Sequence, residues 1–195
     1  MGTRHLTVVQ LDGEYMIAQY GQWDGYPSGQ GEIVLEFLNN WNRSVFEEKL
    51  RASRWLTKEE GRAIEDTIKN QELENIWEIL WPQLLRDTGA KILKLVQESE
   101  PGIVLKNSID FAADSLFCEW AYVIDLDLNL LEVYKGFNEE PLDPSERFFG
   151  ATTEDPHTNT EKYYPIRKVT SYSLHTLPSL EQFIEECDPD EDETA

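Results

Sequence analysis

Between Gly21 and Gly31 the chain reads Gly-Gln-Trp-Asp-Gly-Tyr-Pro-Ser-Gly-Gln-Gly, with four glycines in eleven positions. Glycine admits positive φ and lets neighbouring groups approach the backbone closely. A run this dense marks a main-chain path that side chains would obstruct. Asp24-Gly25 is a turn dipeptide, and Pro27 biases Tyr26 away from helical backbone. Before the run, residues alternate as in a strand. After it, Val34, Leu35, Phe37, Leu38 and Trp41 fall at helical spacing. The stretch therefore reads as a strand-to-helix connection, and the elements on either side are arranged about it.

On the N-terminal side, Leu6–Leu11 and Glu14–Tyr20 flank Asp12-Gly13, the signature of a hairpin with a two-residue type I′ turn. Apolar residues occur on both faces of this hairpin, which predicts a sheet covered on both sides. A helical block follows. Gly31–Trp41 and Arg43–Ser53 carry helical stripes, and Thr57 with Glu60 forms a capping box opening a helix to about Asn70. Leu73–Trp81 reads as a fourth helix. Pro82 suits the first turn of a fifth, running to about Glu98 with Gly89 in its middle or at a break. The stripe positions of Trp41, Trp55, Trp77 and Trp81 predict core packing.

Beyond Pro101-Gly102 the period changes. Ile103–Leu105 reads as a short strand, and Phe117–Asp125 with Leu130–Lys135 as a second hairpin. Tyr163–Ser173 reads as a further strand and Leu177–Glu186 as a short last helix. Strands and helices are grouped rather than alternating. The expected class is α+β: an antiparallel sheet from an N-terminal and a C-terminal hairpin, around four to five central helices. Residues 1–187 read as one domain, and 188–195 as an acidic disordered tail.

Charge narrows the partners. With 38 acidic and 17 basic residues the formal net charge is −21, of which the stretch from Glu181 to Glu193 supplies eight. Nucleic-acid binding and anionic membrane surfaces are disfavoured, because both require basic patches. No apolar run approaches the roughly 20 residues that span a bilayer. The two cysteines, Cys118 and Cys187, form no metal-knuckle or disulfide pattern, and a cytoplasmic setting with free thiols is expected.

The glycine-rich stretch carries the ingredients of a ligand loop. Its last amides lead into a helix N-terminus, which favours anions, and Trp23 or Tyr26 can stack on a flat ring. It matches neither a dinucleotide fingerprint nor a P-loop. No Lys or Arg lies between Arg4 and Arg43, so a phosphate-bearing ligand needs Arg4 or Arg86. A divalent metal or a cationic ligand fits the local charge as well. The residues we associate with such a site are Arg4, Gln22, Trp23, Asp24, Tyr26, Gly29, Gly31, Arg86 and Asp87. The plainer reading is a structural connector with its rings in the core and Ser28 capping the helix. Asp125-x-Asp127-x-Asn129 copies the start of an EF-hand loop, but Leu130 and Gly136 stand where glycine and glutamate belong. We read it as a turn.

The opening Gly2-Thr3-Arg4-His5-Leu6-Thr7-Val8-Val9 and the run Gln19–Gly31 resemble the start of a family of small uncharacterised bacterial, phage and fungal proteins. Its members carry a Gln-x-Asp-Gly-Tyr-Pro-x-Gly-x-Gly signature. Arg86-Asp87-Thr88-Gly89-Ala90 is similar to fungal-type members. The resemblance implies kinship and supplies no mechanism. Three functions are expected in order. The first is binding of a small polar, nucleotide-like ligand at Gly21–Gly31. The second is hydrolysis by Asp24 with Asp87 or Glu119. The third is an acidic interaction or decoy protein meeting a basic partner.

Overall fold

A computed structural model describes residues 2–71, 80–153 and 162–188. Most of the expected fourth helix, and the tail from residue 189, lie outside these. The elements are β1 (His5–Leu11), β2 (Glu14–Gly21), α1 (Glu32–Asn40), α2 (Arg43–Ala52), β3 (Arg54–Trp55), α3 (Lys58–Gln71), α4 (Ile92–Glu98), β4 (Val104–Leu105), β5 (Trp120–Asp125), β6 (Leu130–Lys135), β7 (Arg167–Ser173) and α5 (Leu180–Cys187). The class is α+β, as expected.

Both hairpins form where the turn residues demand. Asp12 and Gly13 take φ of 56° and 78°, the type I′ pair. The Asp127 carboxylate accepts both of their amides at 2.8 and 2.9 Å. The two hairpins join into one five-stranded sheet in the order β2-β1-β5-β6-β7. The join between β1 and β5 is parallel, with His5 opposite Trp120 and Gln10 opposite Asp125. The sheet is therefore mixed, where grouping alone suggested antiparallel pairing throughout. A helical block between β2 and β5 supplies the long crossover that parallel pairing requires. The short β3 and β4 form a separate parallel pair.

The sheet is covered on both faces. Val9, Leu11, Tyr122, Ile124, Leu131 and Val133 pack against Val34, Leu38, Phe46, Leu93 and Phe183 of the helices. Leu6, Val8, Ala121, Val123 and Tyr134 face Ala112, Leu142, Phe148 and Ile166 from less regular stretches. Phe46 is fully buried and meets Phe37 edge-on at 5.0 Å. Burying such a ring contributes roughly 1.5–3 kcal/mol. Trp41 and Trp55 pack against this core, while Trp77 lies outside the described residues.

Local signals set several boundaries. The capping box forms: the Thr57 amide donates to Glu60 at 3.0 Å and the Glu60 amide to the Thr57 hydroxyl at 3.2 Å. Ser179 caps α5 through the Gln182 amide. The long helix expected from Pro82 to Glu98 is broken. One 3₁₀ turn spans Pro82–Leu84, another spans Gly89–Lys91, and only then does α4 begin. Gly89 has φ of 50°, a left-handed conformation that interrupts a helix. Ser28 does not cap α1. The chain enters that helix through a π-helical turn at Pro27–Gly31, and no side chain caps either turn or helix.

Candidate functional site

The glycines of the loop are covered by residues distant in sequence. A Cβ on Gly21 would lie 1.9 Å from the His5 ring, and one on Gly25 would lie 2.8 Å from both His5 Cβ and the Thr3 carbonyl. Gly31 packs on Phe183 and Tyr122, and Gly29 on the Asp24 carbonyl and the Tyr26 ring. The loop amides meet the chain's own carbonyls. Gly25 donates to Thr3 at 2.9 Å, Gln30 to Asp24 at 2.8 Å and Gly29 to Tyr26 at 3.0 Å. Tyr122 anchors the loop by donating its hydroxyl to the Gly25 carbonyl at 2.8 Å. Gln30 bridges it to the break at Gly89, accepting from the Ala90 amide at 2.8 Å.

Beneath the loop lies His5, with no exposed surface. Among the described residues neither ring nitrogen meets a hydrogen-bond partner. Burial lowers its pKa to about 4, against the opposing pull of the Asp24 carboxylate and the Thr3 backbone. The ring is neutral at pH 7 and fills the space that Gly21 and Gly89 leave without side chains.

The structure gathers most of the residues singled out from sequence at one end of β1 and β2. The Trp23 indole N–H donates to Asp87 at 3.0 Å, and the Gln22 amide donates to the Arg86 carbonyl at 3.0 Å. Tyr20 donates its hydroxyl to Gln22 at 2.8 Å. Burial raises the Tyr20 pKa, while the charges of Arg4 and Arg86 oppose the rise. Tyr26 donates to Asp24 at 3.0 Å, and its pKa is raised by that bond. Glu119 accepts from the Arg4 amide at 3.2 Å. Trp23 is 47% exposed and Tyr26 40%, so these rings stand on the surface rather than in the core. Gly29 and Gly31 lie on the packed side of the loop.

A groove of about 520 Å³ opens beside this cluster, lined by Arg4, Tyr20, Lys106, Asp110, Phe111 and Phe117 among others. The Arg4 guanidinium lies 4.6 Å over the Phe117 ring, and Tyr20 meets Phe111 edge-on at 4.9 Å. Among the described residues neither the Arg4 guanidinium nor the Lys106 ammonium enters an ion pair. Of these residues the sequence singled out only Arg4. Lys106 follows β4 and precedes the bridge of Asn107 to Ala18, Asp110 lies in a 3₁₀ turn at Ile109–Ala113, and Phe117 lies in the turn before β5, so long-range contacts to β1 and β2 bring them to the groove. The one local hint was an isolated lysine beside the polar pair Asn107-Ser108.

Charged groups elsewhere are taken up structurally. Arg147 donates to Asp125 at 2.5 Å, to Glu132 at 2.6 Å and to the Gln10 side-chain carbonyl, and its side chain is only 12% exposed. Burial opposes its charge, but the two carboxylates more than offset this and raise its pKa. Tyr134 completes the network by donating to Glu132 at 3.0 Å. In the calcium-like turn, Asp125 accepts from the Leu128 amide and Asn129 from Arg43, which fits a turn. Among the described residues no group of three or more histidines, cysteines or carboxylates is placed to hold a metal ion. None of their helices is long and apolar enough to cross a membrane. Both cysteines are buried and free.

Compared with family models, with curated proteins and with solved structures, the chain matches none.

Proposed function

We propose that this chain binds a small anionic ligand carrying a flat ring, in the groove between Arg4 and Lys106. The observation that carries the reading is the Arg4 guanidinium, stacked on Phe117 at the groove and in no ion pair among the described residues. In a chain with 21 more acids than bases, a groove-lining guanidinium that enters no ion pair among the described residues keeps its charge available to a ligand. A second such cation in the same groove strengthens the argument. Arginine on an aromatic face presents a planar fork suited to phosphate or carboxylate. Tyr20, Phe111 and Phe117 offer ring surface, and the volume falls in the usual range for small-molecule sites, about 300–1,000 Å³. The glycine-rich loop would act indirectly, by fixing the ends of β1 and β2 from which Arg4 and Tyr20 project.

Calorimetric titration with nucleoside monophosphates, nucleosides and inorganic phosphate tests this. A monophosphate should bind more tightly than its nucleoside. Arg4→Gln should weaken binding about 10- to 100-fold, the scale of one charge-assisted hydrogen bond. Absence of binding by every probe, or unchanged affinity in Arg4→Gln, would overturn the reading. A paired-carboxylate hydrolase has less support, because Asp24 and Asp87 are engaged by separate aromatic donors.

A further inference from the structure

We infer that the exposed rim of the Gly21–Gly31 loop is a docking surface for a lysine- and arginine-rich segment of another protein. The surface is distinct from the groove and stands on its own observations. Among the described residues, Trp23 is the tryptophan with the most open exposure, and Tyr26 follows three residues later on the same loop. Each ring is fixed by its polar end to a carboxylate, Trp23 to Asp87 and Tyr26 to Asp24. The backbone of Gly2 closes on the Trp23 ring so tightly that an added Cβ would lie 2.2 Å from it.

The loop beneath is equally constrained. Its amides and glycines are bonded and packed, Tyr122 anchors it from below, and Asp24 holds a left-handed φ of 55°. A non-glycine residue in that conformation stores strain that surrounding structure must hold in place, a feature that clusters at functional positions. The rings are thus presented with little motion left to lose on binding, which is what makes aromatic residues effective anchors.

Charge selects the partner. Asp24 and Asp87 each hold one of the rings, and Arg86 sits 3.9 Å from Asp87 with 69% of its side chain exposed. A ring face beside a carboxylate attracts a cation twice, through the ring quadrupole and through the anion. The whole chain, at −21, steers basic partners toward itself. An arginine or lysine of the partner would lie over Trp23 and displace Arg86 at Asp87.

The test uses a fluorescein-labelled nonapeptide of alternating lysine and arginine, titrated against the full chain by anisotropy at about 0.15 M salt. Trp23→Ala leaves the net charge unchanged and should weaken binding about tenfold, the scale of one anchor residue. Asp87→Asn, an exposed change that spares the fold, should weaken it about fivefold, the scale of one exposed cation contact. The pair Glu185→Gln and Glu186→Gln on α5 removes two charges elsewhere and should change binding less than about twofold, as a screened remote charge would. If Trp23→Ala binds within about twofold of the unaltered chain, or if the α5 pair weakens binding as much as Asp87→Asn, attraction is diffuse and the surface is not a docking site.

Discussion

The imidazole of His5 lies against Gly21 so closely that a single added methyl group would reach 1.9 Å from its Cε1. The two residues are register partners on β1 and β2. This contact explains why glycine ends the second strand. Gly21→Ala is expected to destabilise the fold by about 1–3 kcal/mol, the range for an overpacked core. In a His5→Ala background the same change should do much less harm. A double-mutant cycle by urea denaturation measures the difference, and additive effects would contradict direct contact.

His5 also sets a pH dependence. Its folded pKa of about 4 lies below the ordinary 6.5, so the unfolded chain binds the proton more readily. Stability is complete above about pH 6.5 and falls as pH drops toward 4, by up to roughly 3 kcal/mol for this group. Urea midpoints measured across that window should show the decline. In His5→Leu the slope between pH 6.5 and 4.5 should flatten.

Arg147 is the cation of a buried network holding Asp125 and Glu132. Arg147→Met should destabilise the fold by about 3–5 kcal/mol, because it leaves two buried carboxylates without a counter-charge. Adding Asp125→Asn and Glu132→Gln to the same chain should recover much of the loss. Lysine at 147 would restore the charge but not the fork that reaches Asp125, Glu132 and Gln10 together. Chemical denaturation of the three variants separates these outcomes.

The capping box at α3 gives a local prediction. Thr57→Ala should lower stability by about 1 kcal/mol, the usual cost of losing an N-cap oxygen. Glu60 is held at a pKa of about 2, first by Arg54 and then by the Thr57 amide. Its contribution is therefore present above about pH 4.5 and is lost as pH falls through 2. Melting curves of Thr57→Ala and Glu60→Gln at neutral pH test both partners.

Reading by residue type and spacing recovered the features governed by neighbouring residues. The Asp12-Gly13 turn, the Thr57–Glu60 box and the alternation from Trp120 to Ile124 each depend on a few adjacent positions. Boundaries drifted where a distant contact decided them. β5 starts at Trp120 rather than Phe117 because Asp114–Cys118 closes a turn, with the Cys118 amide on the Asp114 carbonyl at 2.7 Å. The stripe from Leu84 to Val96 suggested one helix. Gly89 was noted as a candidate break, yet only its packing against Gln30 and His5 explains why it takes a left-handed φ. The cluster of Arg4, Gln22, Trp23, Arg86 and Asp87 was assembled from a glycine-dense loop and its nearest charges. The groove partners Lys106 and Phe117 carried no comparable local mark.

What the amino-acid order determined by itself was an acidic α+β chain with two hairpins, a helical block between them and an unusually unhindered connection at Gly21–Gly31. Those properties follow from backbone freedom, periodicity and charge, which act over a few residues or over the whole composition. Only the tertiary structure decided that β5 lies parallel to β1, that His5 fills the space beside Gly21, and that Arg147 joins two carboxylates from separate strands. These outcomes depend on pairings across roughly 15 to 140 positions, where burial and loop closure act on the entire chain at once.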